Sequence, residues 1–266
     1  MRVFRFCIKA LRSSVTYIGV ILYTLIIGPP AIMLALVFHS PVVLYWTGYL
    51  GVHLAFRLAG IRVQSSGLTQ VQPKRVVVYC ANHTSNIEPL VLFLLLSPHY
   101  PKINILYKAG LRKIPILGLA FKLGGFVAIE RGNRDQSNLA IDQAVNSLRE
   151  GSSFLIFPEG TRSQTEELLP FKKGGFIMAV RAHVPIIPVA MHGGRAVMRR
   201  GSALLNPVTV HVQFGSPIST RDREFADREE LIAETKSSIE DMLRRWKSTR
   251  QAINPKGTVN RVPTRD

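Results

Sequence analysis

The feature that most constrains this chain is a long stretch without charge near its beginning. Residues 13–56 contain no Asp, Glu, Lys or Arg and are rich in Leu, Ile, Val and Tyr. The stretch is too long for the apolar core of a signal peptide, and no A-x-A-like cleavage site follows it. Four basic residues precede it: Arg2, Arg5, Lys9 and Arg12. We therefore expect a retained membrane segment with a cytoplasmic N-terminus, following the positive-inside rule.

Two consecutive prolines, Pro29 and Pro30, divide the apolar stretch. Residues 13–28 would form a helix about 24 Å long, which is short for a hydrocarbon core about 30 Å thick. Residues 31–50 are long enough to span, but the sequence His-Ser-Pro at residues 39–41 interrupts them. We expect a two-helix hairpin bent at the proline pair and dipping into one leaflet. One true span, two spans, or buried core helices are the alternatives.

Length and charge limit the kinds of partner. A chain of 266 residues with 47% hydrophobic content can bury one domain plus an appendage. The net charge of +17 suits an anionic membrane surface or an anionic substrate. Nucleic acid is not expected, since the basic residues form no stripe interleaved with aromatics and match no recognition module. Cys7 and Cys80 are the only cysteines, which speaks against a disulfide framework and fits a reducing compartment.

Beyond a connecting region that ends near Lys74, the pattern alternates between strands and helices. Short apolar runs predict strands at residues 76–80, 103–107, 126–129, 154–157 and 186–191, and the alternating residues 208–214 predict an edge strand. Helical periodicity lies between and after these runs, at residues 90–96, 141–148, 176–184 and 232–246. This order predicts an α/β fold with a largely parallel central sheet covered by helices.

The chain therefore divides into three parts. Residues 1–56 are the N-terminal membrane-associated helical segment, and residues 57–248 are the α/β domain. Residues 249–266 carry Pro, Gly and Arg without periodicity, so we expect a disordered basic tail.

The first predicted core strand runs into a polar turn that carries His83 and Glu88. Ser85 and Glu88 have the S-x-x-E spacing of a helix capping box. His83 is thereby placed in a loop at the carboxyl end of a buried strand, where open α/β sheets bind ligands. Residues five apart in one helix would point about 140° apart, so the two side chains meet only if Glu88 lies in the first helical turn. Taken alone, the turn fits a capped helix start beside an ordinary loop histidine as well as a catalytic pair.

A second polar turn has the sequence FPEGTRS. Gly160 permits a tight turn and close approach of a ligand, Thr161 supplies a hydroxyl, and Arg162 presents a planar fork suited to phosphate. We expect Glu159 to hold Arg162 in place. Arg131, just beyond the preceding predicted strand, would complete a site for a phosphorylated substrate near the histidine. The alternative is a surface Glu-Arg pair in an ordinary turn.

A histidine followed by an acid after four residues, then GGFVAIER, FPEGTRS and VPIIPVA in this order, resembles the glycerolipid acyltransferase family. The likeness covers residues 76–190 and is greatest to the bacterial 1-acylglycerol-3-phosphate acyltransferases. It implies that His83 is the general base for a glycerol hydroxyl that attacks an acyl thioester, and that Glu88 orients it. It also implies that the acceptor is bound by Arg131, Glu159, Gly160, Thr161, Arg162 and, as a further basic residue after a strand, Lys108.

The chain departs from the family at the acid. Glu88 stands where the family usually has Asp, and Glu130 likewise replaces a common Asp. The extra methylene pushes the carboxylate outward, and a small backbone shift would restore its hydrogen bond to His83. We expect this variant to mark either the usual activity or a subfamily with a different lyso-lipid acceptor.

The chemistry that the resemblance implies needs no protein nucleophile. A free imidazole is largely neutral at cytoplasmic pH and accepts a proton, and a carboxylate fixes its tautomer. The sequence has no G-x-S-x-G motif of an α/β-hydrolase, and Cys80 in its predicted strand is expected to be a core residue. With neither an H-E-x-x-H motif nor a pair of C-x-x-C motifs, we expect no metal and no cofactor beyond the acyl thioester co-substrate.

The sequence therefore predicts a membrane-bound O-acyltransferase at the cytoplasmic face of the inner membrane. It would transfer a fatty acyl group from acyl carrier protein or coenzyme A to 1-acylglycerol 3-phosphate, giving phosphatidic acid. Expected partners are a lysophospholipid, the carrier thioester and an anionic membrane. One alternative is an acyltransferase for another lysophospholipid or an ornithine-type lyso-lipid, and a second is a non-catalytic lipid-binding protein.

Overall fold

The computed structural model describes residues 2–130, 134–199 and 201–253. In these residues the chain forms a seven-stranded sheet with the order β1-β7-β6-β2-β5-β3-β4. Neighbouring strands are parallel except β6 and β7, which are antiparallel. The expected α/β fold with a largely parallel sheet is confirmed. The strands are Arg62–Ser66 (β1), Val78–Ala81 (β2), Ile103–Lys108 (β3), Val127–Ile129 (β4), Ser153–Ile156 (β5), Ile186–His192 (β6) and Thr209–Phe214 (β7).

Helices cover both faces of the sheet, because alternate side chains of the central strands point to opposite sides. Tyr79 and Ala81 of β2 belong to one apolar cluster, which is shared with two of the first three helices, α2 and α3. Val78 and Cys80 belong to the other cluster, which is shared with α5, α6 and α8. The helices are Arg2–Val37 (α1), Val42–Ala59 (α2), Glu88–Leu95 (α3), Leu117–Leu123 (α4), Arg134–Arg149 (α5), Gly174–Ala182 (α6), Gly194–Val197 (α7) and Arg228–Ile253 (α8).

The N-terminal helices form a hairpin, but its turn lies elsewhere than predicted. Helix α1 continues through Pro29 and Pro30, so the expected bend there is wrong. Proline keeps a helical φ and removes one hydrogen bond, a cost that packing along a long helix offsets. The turn falls at His39, whose φ is +49°. Ser40 N–H bonds to the carbonyl of Ala35 at 3.1 Å, as in the Schellman motifs that end helices.

Helix α1 lies along the α/β domain instead of standing away from it. The amide of Leu205 donates to Ser13 Oγ at 2.8 Å. About four helical turns beyond Ser13, a Cβ built on Gly28 would lie 2.7 Å from Ile116 Cγ2. Within the described residues, Val3–Val37 is the one helical stretch long and apolar enough to cross a membrane, and 17% of its most apolar window is buried. Most of its apolar side chains therefore remain uncovered by protein.

Helix α2 is part of the domain core. Its Tyr45 is 2% exposed, and the hydroxyl donates to the carbonyl oxygens of Ile103, the first residue of β3, and Gly124. Phe56 and Ala59 belong to the same apolar cluster as β2. The boundary predicted between residues 56 and 57 thus falls inside a helix that packs against the sheet. Around the Tyr45 ring lie three other aromatic rings, those of Phe93, Tyr100 and Phe126.

The edge of the sheet differs from the prediction. Strand β7 lies between β1 and β6, so the expectation that it is an edge strand is wrong. Strand β1 is the edge strand on this side of the sheet, and it falls in the region predicted to be a connection. Its sequence, RVQSS, alternates in exposure but has no apolar run, so hydropathy alone does not reveal it.

The last helix is longer than expected. Helix α8 continues to Ile253, past the boundary predicted at residue 248. No Gly or Pro occurs in that stretch, and the first proline is Pro255, which disfavours helical geometry at the residue before it. The remainder of the predicted tail, residues 254–266, lies outside the described residues.

Candidate active site

The site is built around His83, in the loop that follows β2. Its Nδ1 lies 2.9 Å from Oε2 of Glu88, the first residue of α3. The imidazole is 17% exposed and the carboxylate is 0% exposed. The loop histidine and the glutamate in the first helical turn are thus brought together in the way that the spacing of five residues requires. One side of the imidazole faces the carboxylate while part of the ring stays open to solvent.

The carboxylate of Glu88 is fixed from several sides. Oε2 also accepts the backbone N–H groups of Thr84 at 2.6 Å and Ser85 at 3.0 Å, and Oε1 accepts the Thr84 hydroxyl. Of the two bonds of the predicted capping box, the one from Ser85 N–H to the Glu88 carboxylate forms. The other does not, because Ser85 Oγ accepts from Ile87 N–H at 3.4 Å and not from Glu88 N–H. Charge-assisted bonds of this kind hold a carboxylate in one orientation. The longer side chain is therefore rigidly placed.

Gly194 lies directly behind this carboxylate. It follows β6 as the first residue of α7, and a Cβ built on it would lie 2.5 Å from Glu88 Oε1. That is closer than real side chains approach an oxygen, so position 194 has no room for a larger residue. The sequence reasoning missed Gly194. The signal that was available is the pair Gly193-Gly194 immediately after a predicted strand.

Glu159 supports the main chain of His83. It is 3% exposed, and its two oxygens accept the N–H groups of His83 at 2.6 Å and Leu169 at 3.0 Å. Ser163 N–H in turn donates to the carbonyl of His83 at 2.8 Å. Burial raises the pKa of Glu159, and the two N–H bonds oppose that shift. The expectation that it holds Arg162 is wrong, because no ion pair joins these two described residues.

Gly160, Thr161 and Arg162 of the FPEGTRS turn are not buried. Gly160 has φ +66°, and Lys172 Cε lies 2.9 Å from the position that its Cβ would take. Thr161 is exposed and Arg162 is partly exposed. Lys172 is thus a cation over the turn that the sequence reasoning missed. Its signal is the basic pair in FKKGG, shortly after the motif.

Two neighbours fix the loop of His83 further. The Phe157 ring packs against the imidazole with ring centroids 4.4 Å apart. The side chain of Asn82 exchanges two hydrogen bonds with the backbone of Met191, at 2.7 and 3.0 Å. The ends of β2, β5 and β6 are thereby joined beneath the histidine.

Of the other predicted residues that the structure describes, Lys108 lies at the same carboxyl edge of the sheet. Lys108 is exposed at the carboxyl end of β3, two strands from β2. Arg131 follows β4 in sequence but lies outside the described residues. Cys80 is 0% exposed, and burial raises the pKa of its thiol, so it is the core residue that was expected.

This arrangement can perform general base catalysis. When Nδ1 of His83 carries the proton, it donates to Glu88, and Nε2 is left as the basic nitrogen. The buried carboxylate stabilises the imidazolium that forms when Nε2 takes a proton. The site thus offers a base in a fixed tautomer at the carboxyl edge of a sheet, with cations nearby.

Comparison with known proteins agrees with this class of site. A family model described as Acyltransferase matches residues 62–192. An uncharacterized acyltransferase of Schizosaccharomyces pombe is 30% identical over 200 residues, which cover 71% of this chain and 68% of that protein. The chain belongs to the acyltransferase family, and the resemblance seen in the sequence is confirmed.

Particular relatives carry a more specific name. The 1-acyl-sn-glycerol-3-phosphate acyltransferase of Escherichia coli K12 is 36% identical over 143 residues, 52% of this chain and 57% of that protein. The enzyme of the same name from Limnanthes douglasii is 32% identical over 163 residues, 61% of this chain and 56% of its own length. The chain thus spans little more than half the length of these relatives.

A solved structure shares the fold. The crystal structure of the 1-acyl-sn-glycerophosphate acyltransferase PlsC from Thermotoga maritima superposes with a TM-score of 0.78. The match covers 93% of this chain and 98% of that chain at 23% sequence identity. At this identity the likeness establishes the common fold.

Proposed function

We propose that this protein transfers a fatty acyl group from an acyl thioester to the free hydroxyl of 1-acylglycerol 3-phosphate, giving phosphatidic acid. The observation that carries the proposal is the His83–Glu88 pair, 2.9 Å apart at the carboxyl edge of the sheet. Membership of the acyltransferase family and the names of the relatives support the substrate class. The acyl donor is acyl carrier protein or coenzyme A.

In the proposed reaction, Nε2 of His83 removes the proton from the acceptor hydroxyl as its oxygen attacks the thioester carbonyl. The C–O bond forms, the C–S bond breaks, and the imidazolium returns its proton to the leaving sulfur. Glu88 holds Nδ1–H and stabilises the positive charge between these two transfers. No protein nucleophile takes part.

The acceptor phosphate is proposed to bind to the cations at the same edge. Arg162 belongs to the FPEGTRS turn, Lys172 lies over it, and Lys108 is the last residue of β3. Arg131 is proposed for the same role from its position in the sequence. Gly160 and Thr161 contribute a tight turn and a hydroxyl, and Glu159 acts indirectly by holding His83. Arginine and lysine together provide both forked and point-charge contacts to a phosphate.

The apolar hairpin is proposed to lie in one leaflet of the inner membrane, with the α/β domain on the cytoplasmic face. Helix α1 contacts the domain from Ser13 to Gly28, a length of about 22 Å. A helix standing across the bilayer would carry this polar domain into hydrocarbon, which is unfavourable. The uncovered apolar side of α1 instead faces lipid, and the net charge of +17 favours anionic headgroups.

The proposal is tested by turnover with purified protein and a panel of lyso-lipids. We expect transfer to 1-acylglycerol 3-phosphate, and His83→Ala should lower kcat by about 1,000-fold because the base is lost. His53→Ala, which removes an exposed histidine of α2, is the matched control and should keep wild-type turnover. Vesicle association of both variants should equal that of the wild type.

Other outcomes of the panel would contradict the proposal. Transfer to a different lysophospholipid or to an ornithine-type lyso-lipid alone would show another acceptor. Lipid binding without turnover for every acceptor, with either acyl donor, would show a non-catalytic protein. Wild-type turnover in His83→Ala would remove the histidine as the base.

A further inference from the structure

The segment of residues 108–123 combines cations with exposed apolar side chains. It begins at Lys108, the last residue of β3, passes through a 3₁₀ turn and ends with α4. Its sequence, KAGLRKIPILGLAFKL, contains no acid, and none occurs anywhere in residues 103–129. Its four cations are all exposed, and none forms an ion pair among the described residues: Lys108, Arg112, Lys113 and Lys122. The segment is therefore a concentrated and unneutralised positive surface.

Three large apolar side chains of this segment also point to solvent. Leu111, Ile114 and Leu119 are between 37% and 44% exposed. The opposite side of α4 is well packed, with the Phe121 ring against Tyr107 at a centroid distance of 4.9 Å. Phe121 of α4 thus packs against the domain, whereas Leu119 of α4 and the preceding Leu111 and Ile114 are exposed. Apolar groups clustered at a surface mark an interaction site more often than a bare solvent face.

The segment is held in a fixed position beside the hairpin. Ile116 has φ +63°, a conformation that is strained for a β-branched residue, and its side chain contacts Gly28 of α1. A Cβ on Gly118 would lie 2.3 Å from the carbonyl oxygen of Arg112, so the turn is closely folded on itself. The exposed apolar surface of α1 continues near this contact, where Leu25 is 57% exposed.

We infer that residues 108–123 are a second membrane contact, made by the α/β domain itself, with an anionic lipid surface. Leu111, Ile114 and Leu119 enter the headgroup region while Arg112 and Lys113 bind lipid phosphates. The segment carries cations and no acidic residue, and it is continuous with the exposed apolar side of α1. Both features favour anionic lipid as the partner. Lys108 begins the segment, so this contact brings headgroups to the edge of the sheet where His83 lies. The inference goes beyond the proposed function, since it holds whichever lyso-lipid is the acceptor.

Depth-dependent fluorescence quenching tests the contact in the full chain. A Cys7→Ser background leaves only Cys80, which is fully buried. Leu119→Cys then carries a fluorophore, and Leu139→Cys, on α5 at the opposite face of the sheet, is the matched control. The vesicles contain phosphatidylglycerol and lipids with a nitroxide on the acyl chain. We expect the probe at 119 to be quenched at least about threefold more than the probe at 139.

Charge reversal separates lipid binding from other roles of the surface. Arg112→Glu with Lys113→Glu should lower the quenching at 119 by about threefold, whereas Arg244→Glu with Arg245→Glu on α8 makes the same change in net charge and should not. Equal quenching at positions 119 and 139 would overturn the inference. So would unchanged quenching in the first variant, including the case where that variant raises KM for an acidic acyl carrier protein. The hairpin proposed to bind the membrane is unchanged in the charge-reversal and probe variants, so we expect each result to report the position of the probe and not the attachment of the protein.

Discussion

At the scale of single residues, the carboxylate of Glu88 has room beside His83 because Gly194 has no side chain. The carboxylate of Glu88 needs the volume that a side chain at position 194 would take, since a Cβ there would lie 2.5 Å from Oε1. The substitution of Glu for the usual Asp is thus accommodated by a gap on the opposite side of the carboxylate. The two positions form one packing unit.

We therefore expect Gly194→Ala to lower kcat by about 100-fold, because the new methyl pushes the carboxylate away from Nδ1 of His83. Combined with Glu88→Asp, which shortens the acid and vacates this space, the same substitution should cost less than in the Glu88 background. Steady-state turnover of the two single variants and the double variant measures this coupling.

Gly174→Ala is the matched control for this cycle. Its Cβ would meet only the Ile141 side chain, nearest at Cδ1, 3.3 Å away, on the far face of the sheet. We expect turnover within about twofold of the wild type, since a flexible side-chain end moves at little cost. Additive effects of Gly194→Ala and Glu88→Asp would show that the two residues do not share space.

Glu159 gives a prediction on stability as well as activity. Its two oxygens each accept a backbone N–H, so Glu159→Gln would turn an amide NH₂ toward one of these donors. A buried N–H left without an acceptor costs about 1–3 kcal/mol, and His83 would lose its fixed position. We expect a lower Tm and reduced kcat, measured against Glu167→Gln, an exposed carboxylate with the same charge change. Equal Tm values would show that Glu159 does not support the loop.

At the scale of elements, the turn after α3 makes stability depend on pH. His99 is 3% exposed and lies 2.8 Å from the hydroxyl of Tyr79 in β2. Burial lowers its pKa below the usual value of 6.5. Below pH 6.5 the unfolded chain therefore binds a proton that the folded chain does not. Stability is therefore greatest above pH 6.5 and falls as the pH decreases from 6.5 to the folded pKa of His99.

We expect the free energy of unfolding to fall with decreasing pH in this window, by at most about 1.4 kcal/mol for each pH unit. The window begins at 6.5 and ends at the lowered pKa of His99. His99→Gln, which keeps a hydrogen-bonding group for Tyr79, should flatten that part of the profile. His53→Gln, at an exposed position of α2, should leave it unchanged. Thermal unfolding between pH 5 and pH 7.5 measures the difference, and parallel profiles for wild type and His99→Gln would contradict it.

The same elements show how far the sequence carries the fold. The buried strand before His83 and the S-x-x-E spacing placed the histidine in a loop and Glu88 in the first helical turn. Strand β1 was missed because its pairing with β7, and not an apolar pattern, makes it a strand. The bend at Pro29 was wrong because proline's helical φ fits within α1, while a left-handed histidine ends it. The sequence patterns thus predicted the features that depend on residues close together in the chain.

The parts of the site that depend on distant contacts were not predicted. Glu159 lies 76 residues from His83 along the chain, and its two N–H partners come from different loops. The FPEGTRS motif therefore correctly indicated that Glu159 lies near His83, but the predicted partner of Glu159 was Arg162 and not the backbone. Gly194 was missed for the same reason, because its role depends on the side chain of Glu88, which follows another strand. Residue types in the sequence indicate the chemistry of the site, whereas the hydrogen-bond partners of each residue depend on the tertiary structure.

At the scale of the whole molecule, the hairpin and the α/β domain share one core. Tyr45, Phe56 and Ala59 of α2 are buried in the cluster that contains Tyr79 of β2. Removing residues 1–60 would expose that surface and leave the carbonyls of Ile103 and Gly124 without the Tyr45 hydroxyl. Exposed apolar area of this kind promotes aggregation.

We therefore expect the chain lacking residues 1–60 to aggregate, whereas the full chain in the same detergent stays dispersed. Size-exclusion chromatography and the yield of monodisperse protein measure the outcome. A monomeric truncated domain with cooperative thermal unfolding would show that α2 is an attachment and not part of the core.

The two hydrogen bonds between the main chain of His83 and the FPEGTRS turn have a consequence for recognition. Glu159 accepts the N–H of His83, and Ser163 donates to its carbonyl, so the base and the turn with Arg162 move as one body. The separation between the main chain of His83 and the backbone of the FPEGTRS turn is thereby fixed. If the acceptor phosphate binds at this turn, as proposed, the same separation limits the number of bonds between the hydroxyl and the anionic group of an acceptor. A lyso-lipid with a longer headgroup is then expected to react more slowly.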